Sequence, residues 1–330
     1  MTYSAGNVIL AADYNGFAND SANNIGNVWA VGSTDKGWGQ SNIANVAVAG
    51  TVTATQWATL VNTLTTMGQH CNVAITSRTA PVAGNTISIL ANVATDINNL
   101  TVARGNAQLS GTEYGVFTGT TSKTTATGSG ATAWTITFTH TITFPSAAQA
   151  RYFWNAGGIV RLKYGKSSTG TDHDPDWNTL AGWCGSINLT GRVNGAAQSI
   201  SAQVYTGTTR IGGSGGTETT LTTTTGWYNL TGTPTTIFQL NNTTAPYQPE
   251  YIRTTATQTS STVLTLVTTW VDDGTSGAGK TSNISGGTAT TSPSTTITGT
   301  APTTLVTYLP PESTYLTNSW GTPTIAASVA

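Results

Sequence analysis

The stretch WTITFTHTITFPSAAQARYFWNAGGIVRLKY, residues 134–164, decides how the rest of the chain is read. Trp134, Ile136, Phe138, His140, Ile142 and Phe144 alternate with Thr135, Thr137, Thr139, Thr141 and Thr143. Period-two patterning of this length predicts a strand with one buried face and one row of hydroxyls. Pro145 ends it by removing a ladder donor. Ser146 is placed to cap a short helix running to Trp154, and Asn155, Gly157 and Gly158 stop that helix by tolerating left-handed backbone. A second strand, 159–164, follows at once. The unit carries no nucleophile, no acid–base pair and no metal-ligand cluster, so it reads as a packing element.

Composition fits extended structure. Charged residues make up 8% of the 330, where about 25% is usual, and net charge is −1. Disorder from low hydrophobicity normally needs high net charge as well. Here ten Trp and eleven Tyr supply core volume instead. Twelve basic residues neutralise few phosphates, so nucleic acid is not an expected partner. No apolar run reaches the roughly 20 residues of a membrane span, and the first residues do not read as a secretory signal. Cys71 and Cys184 are expected to be free thiols.

The predicted fold class is α+β. Residues 1–118 read as a small helical or mixed assembly domain, 119–132 as a Gly/Thr/Ser linker, and 133–330 as an antiparallel β-sandwich or jelly roll with an extended, Pro-marked C-terminal tail. An internal repeat aligns residues 11–17 with 54–60, each copy opening a helix. Trp57, Leu60, Val61, Leu64 and Met67 share one helical face after a Thr53 or Thr55 cap. Tyr14, Phe17, Ile25, Val28 and Trp29 form a looser one. A third helix takes Ile89, Val93, Ile97 and Leu100 after a cap at Asn85 or Thr86, and residues 44–48 read as a short strand. Further strands are expected at 186–193, 199–205, 235–240, 251–256 and 263–271. Trp134, Trp154 and Trp270 are expected in the core. Trp38, between two glycines, is the tryptophan expected at the surface or on a partner.

Two blocks carry a resemblance. One is Ala150-Arg151-Tyr152-Phe153-Trp154-Asn155-Ala156-Gly157-Gly158, entered from the Thr/Phe strand. The other runs in order through Leu10-Ala11-Ala12-Asp13-Tyr14-Asn15, Gly37-Trp38-Gly39-Gln40, Val52-Thr53-Ala54-Thr55-Gln56-Trp57 and Gln69-His70. Together they resemble virion structural proteins of tailed phages, marine cyanophages especially, over about the first half of the chain. The resemblance implies a neck, tail or fibre component assembled in the host cytoplasm. It implies a homo-oligomer (a trimer before a hexamer or dodecamer) that docks to other virion proteins. It implies no catalytic residue and no cofactor. A tail-fibre module binding a host-surface glycan is the alternative; a capsid decoration protein or a glycan depolymerase ranks below both. Tyr14, Phe17, Trp29, Trp38, Trp57, Leu60 and Leu64 are the assembly-interface candidates.

Three motifs invite a chemical reading. Gly274–Lys280 with Thr281 fits GxxxxGK[ST], but residues 282–288 have turn composition where a phosphate loop needs a helix, so a hairpin loop is the better reading. Asp172, Asp174 and Asp176 have the spacing of a calcium loop, yet Trp177 takes the turn-glycine position and Trp183 the bidentate glutamate position. A solvated acidic loop is expected, with calcium as the weaker candidate. His70, His140 and His173 lack zinc spacing; His140 reads as a core histidine.

Overall fold

The computed structural model describes residues 10–83, 92–108, 121–123, 134–167, 173–244, 250–272 and 300–330. The fold is α+β, with two antiparallel sheets in a sandwich-like arrangement. The 134–143 pattern becomes strand β2 (Trp134–Thr143) at the heart of a six-stranded sheet. Its partners are β11 (Val263–Asp272) on one side and β13 (Thr324–Val329) on the other. Beyond β11 lie β10 (Tyr251–Ser260), β9 (Thr235–Asn241) and β8 (Thr217–Leu221). Ile136, Phe138, His140 and Ile142 are buried, while the intervening threonines stay partly or fully exposed.

The second sheet holds β1 (Thr121–Ser122), β12 (Thr303–Leu309), β3 (Ile159–Gly165), β4 (Ser186–Leu189) and β7 (Thr208–Ile211), in that order. The two sheets meet face to face. Trp270 Nε1 on β11 donates to Thr304 Oγ1 on β12 at 3.3 Å, and the Tyr164 hydroxyl on β3 meets Thr254 Oγ1 on β10 at 2.8 Å. Buried polar groups paired across a core in this way keep the register single-valued, because each would cost free energy if left alone.

The predicted helix after β2 is α5 (Ala147–Asn155), with the Ser146 side chain accepting from Gln149 N. Helix α3 (Ala54–Cys71) opens with a reciprocal Thr53–Gln56 capping box and ends at Asn72, whose φ of 51° gives the left-handed cap. The first repeat copy differs. It forms α1 (Ala11–Asn15), which continues as a π-helical turn (Gly16–Asp20); the chain then breaks before α2 (Ile25–Trp29), capped by Asn24. The third helix, α4 (Val93–Val102), starts after Asn92; the expected Asn85 or Thr86 caps and Ile89 lie outside the described residues.

Several expectations are corrected. Residues 44–48 form no strand, because the Asn15 side chain bonds both Val46 N (2.8 Å) and Val46 O (2.9 Å) and takes the place of a neighbouring strand. Residues 199–205 are not one strand but a hairpin, β5 (Gln198–Ile200) and β6 (Gln203–Tyr205). Ser201 and Ala202 turn it, both at positive φ as this two-residue loop requires. The C-terminal stretch is no tail: its residues supply β12 and β13, one to each sheet. Most of the expected linker lies outside the described residues, but Thr121 and Ser122 pair with β12. Buried apolar residues of the N-terminal and β-rich regions form one continuous cluster, from Ala11 to Trp320.

Candidate functional site

Two of the blocks that carry the resemblance, Gly37-Trp38-Gly39-Gln40 and Gln69-His70, meet a third at the C-terminal end of α5. A helix leaves its last carbonyls without internal partners. Here two side chains from the N-terminal region supply them. Trp38 Nε1 donates to Asn155 O at 3.0 Å, and His70 Nε2 donates to Ala156 O at 3.1 Å. The two rings meet edge to face, centroids 4.9 Å apart. The Asn155 side chain completes the junction: its Nδ2 donates to Gly37 O (3.2 Å) and its Oδ1 accepts from the Tyr228 hydroxyl (2.7 Å). Gln40 extends the junction to the C-terminal region, taking the Thr317 N–H at 2.9 Å and giving to the Thr317 carbonyl at 3.0 Å.

Trp38 is therefore fully buried, against the surface position its glycines implied. Gly37 has a φ of 92°, which turns the indole inward, and a Cβ there would collide with the Val31 carbonyl. Tyr14, Phe17, Trp57, Leu60 and Leu64 are likewise buried within their own chain, so they hold the monomer together and offer no surface to a partner. Tyr14 and Trp57 meet edge to face at 5.4 Å, which explains why the two repeat copies have apolar faces: they cover each other and the β-rich region. Trp29 alone of the seven is part-exposed, with Nε1 donating to Ser41 O.

His70 and His140 are core residues. Burial pushes each imidazole down to about 4, which keeps it neutral. In His70 the proton must sit on Nε2 to meet a carbonyl, leaving buried Nδ1 without a partner. Cys71 and Cys184 are free and buried, and desolvation raises both thiols. The acidic segment is corrected from a loop to a helix start: α6 (His173–Cys184) takes in Asp174 and Asp176. Asp172 lies outside the described residues, as does the whole GxxxxGK[ST] motif. Among the described residues no group of three or more His, Cys, Asp or Glu is placed to hold a metal ion, and no helix is long and apolar enough to cross a membrane.

Two surfaces remain that sequence reasoning did not single out. The first is the outward face of the six-stranded sheet. Register places Thr135, Thr137, Thr139 and Thr141 of β2 beside Val271, Thr269, Val267 and Thr265 of β11. Across β2, β11 and β10, Arg253 is the one charged outward side chain, and it lies over the Tyr251 ring. At about 3.4 Å per residue and 4.8 Å between strands, the five longer strands present roughly 700 Å² of sheet face. The alternation was legible; its extension over neighbouring strands needed the register.

The second is an open cleft of about 400 Å³ at the C-terminal end of α3, lined by Gln69, Asn72, Gln108, Glu312, Thr314 and Tyr315. Its two halves are 204 residues apart, since Glu312 N donates to Gln108 O at 2.9 Å; no local pattern could have linked them.

The chain matches no protein-family profile, no curated protein and no solved structure.

Proposed function

We propose that this chain is a non-enzymatic structural component of a tailed-phage virion, in the neck, tail or a fibre, that works by packing against copies of itself and against neighbouring particle proteins. The observation that carries the reading is the outward sheet face. It approaches the roughly 800 Å² per partner of a standard interface, and it holds a single charge on its three longest strands. A face of that kind associates with its own copy without like-charge repulsion. The resemblance blocks support the particle setting, and a trimer is favoured over a six- or twelve-fold ring on the same ground.

The test is Val267→Glu, alone and with Thr139→Glu, since these two positions are paired partners on the outward face. Sedimentation should show an oligomer for the parent chain and a folded monomer for the double variant. An unchanged oligomer in the double variant would move the interface elsewhere, and a monomeric parent would remove self-association altogether. Locating the chain in a reconstruction of the particle tests the setting. Binding of a host-surface glycan is the second reading, and the cleft beside α3 is the observation that favours it.

A further inference from the structure

Gln69 sits in the last turn of α3, and Asn72 caps that helix in left-handed backbone. Gln108 and the 312–315 segment close the cleft from the other side. The Glu312 carboxylate is fixed in place: Oε1 accepts from Thr314 N at 3.0 Å and from Thr314 Oγ1 at 2.8 Å. Its second oxygen is not used in those bonds. The side-chain amides of Gln69, Asn72 and Gln108 and the hydroxyl of Tyr315 make no hydrogen bond to the described residues. Three amides, one phenol and one carboxylate thus line one open concavity, the amides and the phenol without a bond to another described residue.

An amide offers two N–H donors and a carbonyl acceptor side by side, a pattern that matches adjacent hydroxyl groups. Ordinary phosphate or carboxylate ligands would find no cation in this lining. They would find Glu312 and the negative end of the α3 dipole instead. We infer that the cleft binds a sugar ring, neutral or bearing an amine, and rejects acidic sugars. Glu312 Oε2 takes a hydroxyl or ammonium donor, and Gln69, Asn72 and Gln108 bracket the remaining hydroxyls. The inference rests on the glycan-binding reading alone; self-association through the sheet face is neither needed for it nor tested by it.

Saturation-transfer NMR on the full chain, with glucose, glucosamine and glucuronate as separate probes, is the experiment. Transfer to glucose and glucosamine ring protons is expected, with none to glucuronate. Gln69→Ala with Gln108→Ala should weaken both interactions by tenfold or more, while Glu312→Gln should weaken glucosamine binding more than glucose binding. Asn72 is left intact because its backbone conformation caps α3. Each variant's melting temperature and sedimentation are recorded alongside, so a loss of fold or of assembly is seen separately from a loss of binding. Absence of transfer to all three sugars from the folded parent chain would overturn the inference. So would glucuronate binding as strong as glucose, or binding that survives the double substitution.

Discussion

His70 Nε2 and the carbonyl oxygen of Ala156 meet at 3.1 Å across 86 residues of chain, so a side chain at the end of one helix completes the end of another. Trp38 does the same for Asn155. The N-terminal region is thus the cap of α5, and α5 is the element joining the two sheets through β2 and β3.

Asn155→Ala should be among the most damaging single changes. It removes the donor to buried Gly37 O and one of the two hydrogen bonds of the Tyr228 hydroxyl, which keeps Thr34 O as a partner at 3.1 Å. A buried group left without its partner costs about 1–3 kcal/mol. Urea unfolding should show a loss of roughly 1–3 kcal/mol; a change below about 0.5 kcal/mol would mean that the junction is not what holds these segments.

Removing residues 1–105 should not leave a cooperatively folding β-rich remainder. The deletion strips Trp38, Trp57, Leu60 and Leu64 from the shared core and uncaps α5. Expected are a broad thermal transition and weak near-ultraviolet circular dichroism. A sharp two-state melt from the remainder would show that the regions fold independently.

Acid should weaken the fold before most carboxylates titrate. His70 and His140 are held near 4 by burial, against about 6.5 in the unfolded chain. The unfolded state therefore binds more protons between these values. The stability contribution is whole above about pH 6.5 and is lost as pH falls through about 4, by roughly 3 kcal/mol per imidazole. Urea midpoints measured from pH 7 to 4.5 should fall, and His70→Asn should flatten part of that slope. A slope unchanged in the variant would assign the effect to other groups.

Neither thiol should react in the native state. Cys71 and Cys184 are buried and their thiolates disfavoured. A disulfide-exchange reagent should release no colour from the native protein and two equivalents in denaturant; fast native labelling would expose an error in the placement of α3 or α6.

Self-association should respond little to salt. The outward sheet face offers one charge on its three longest strands, and screening acts on exposed charges while leaving apolar and neutral contacts in place. The same oligomer is expected at low and near-molar sodium chloride. Dissociation on adding salt would mean that ionic contacts carry the interface.

The sequence disclosed the parts whose signal is local. Alternation over 134–144 gave β2, Ser146 gave the α5 cap, and Thr53 gave the start of α3, because each rests on spacing within one or two turns. It misled where a local cue was outvoted by distant partners. The glycines around Trp38 read as an exposed turn, yet they fold the indole onto a carbonyl 117 positions away. The apolar helix faces read as subunit contacts because nothing in their spacing says whether the covering surface belongs to the same chain. Pro310, Pro311 and Pro323 read as a tail, although β12 ends just before Pro310 and β13 begins just after Pro323, each in register with strands far upstream. Both candidate surfaces depend on such long-range pairing: one strand's row of hydroxyls was legible beforehand, its extension into a sheet face and the cleft beside α3 were not.

That late pairing also sets an order of events during synthesis. β12 lies inside the five-stranded sheet, between β1 and β3, and β13 borders β2. Neither sheet can close until residues 303–329 have left the ribosome, and loops this long close slowly. A nascent or prematurely ended copy would keep β2 and β3 with bare edges, recognisable to chaperones and proteases and unable to present the finished face. Only copies translated through β13 have the partners that close both sheets.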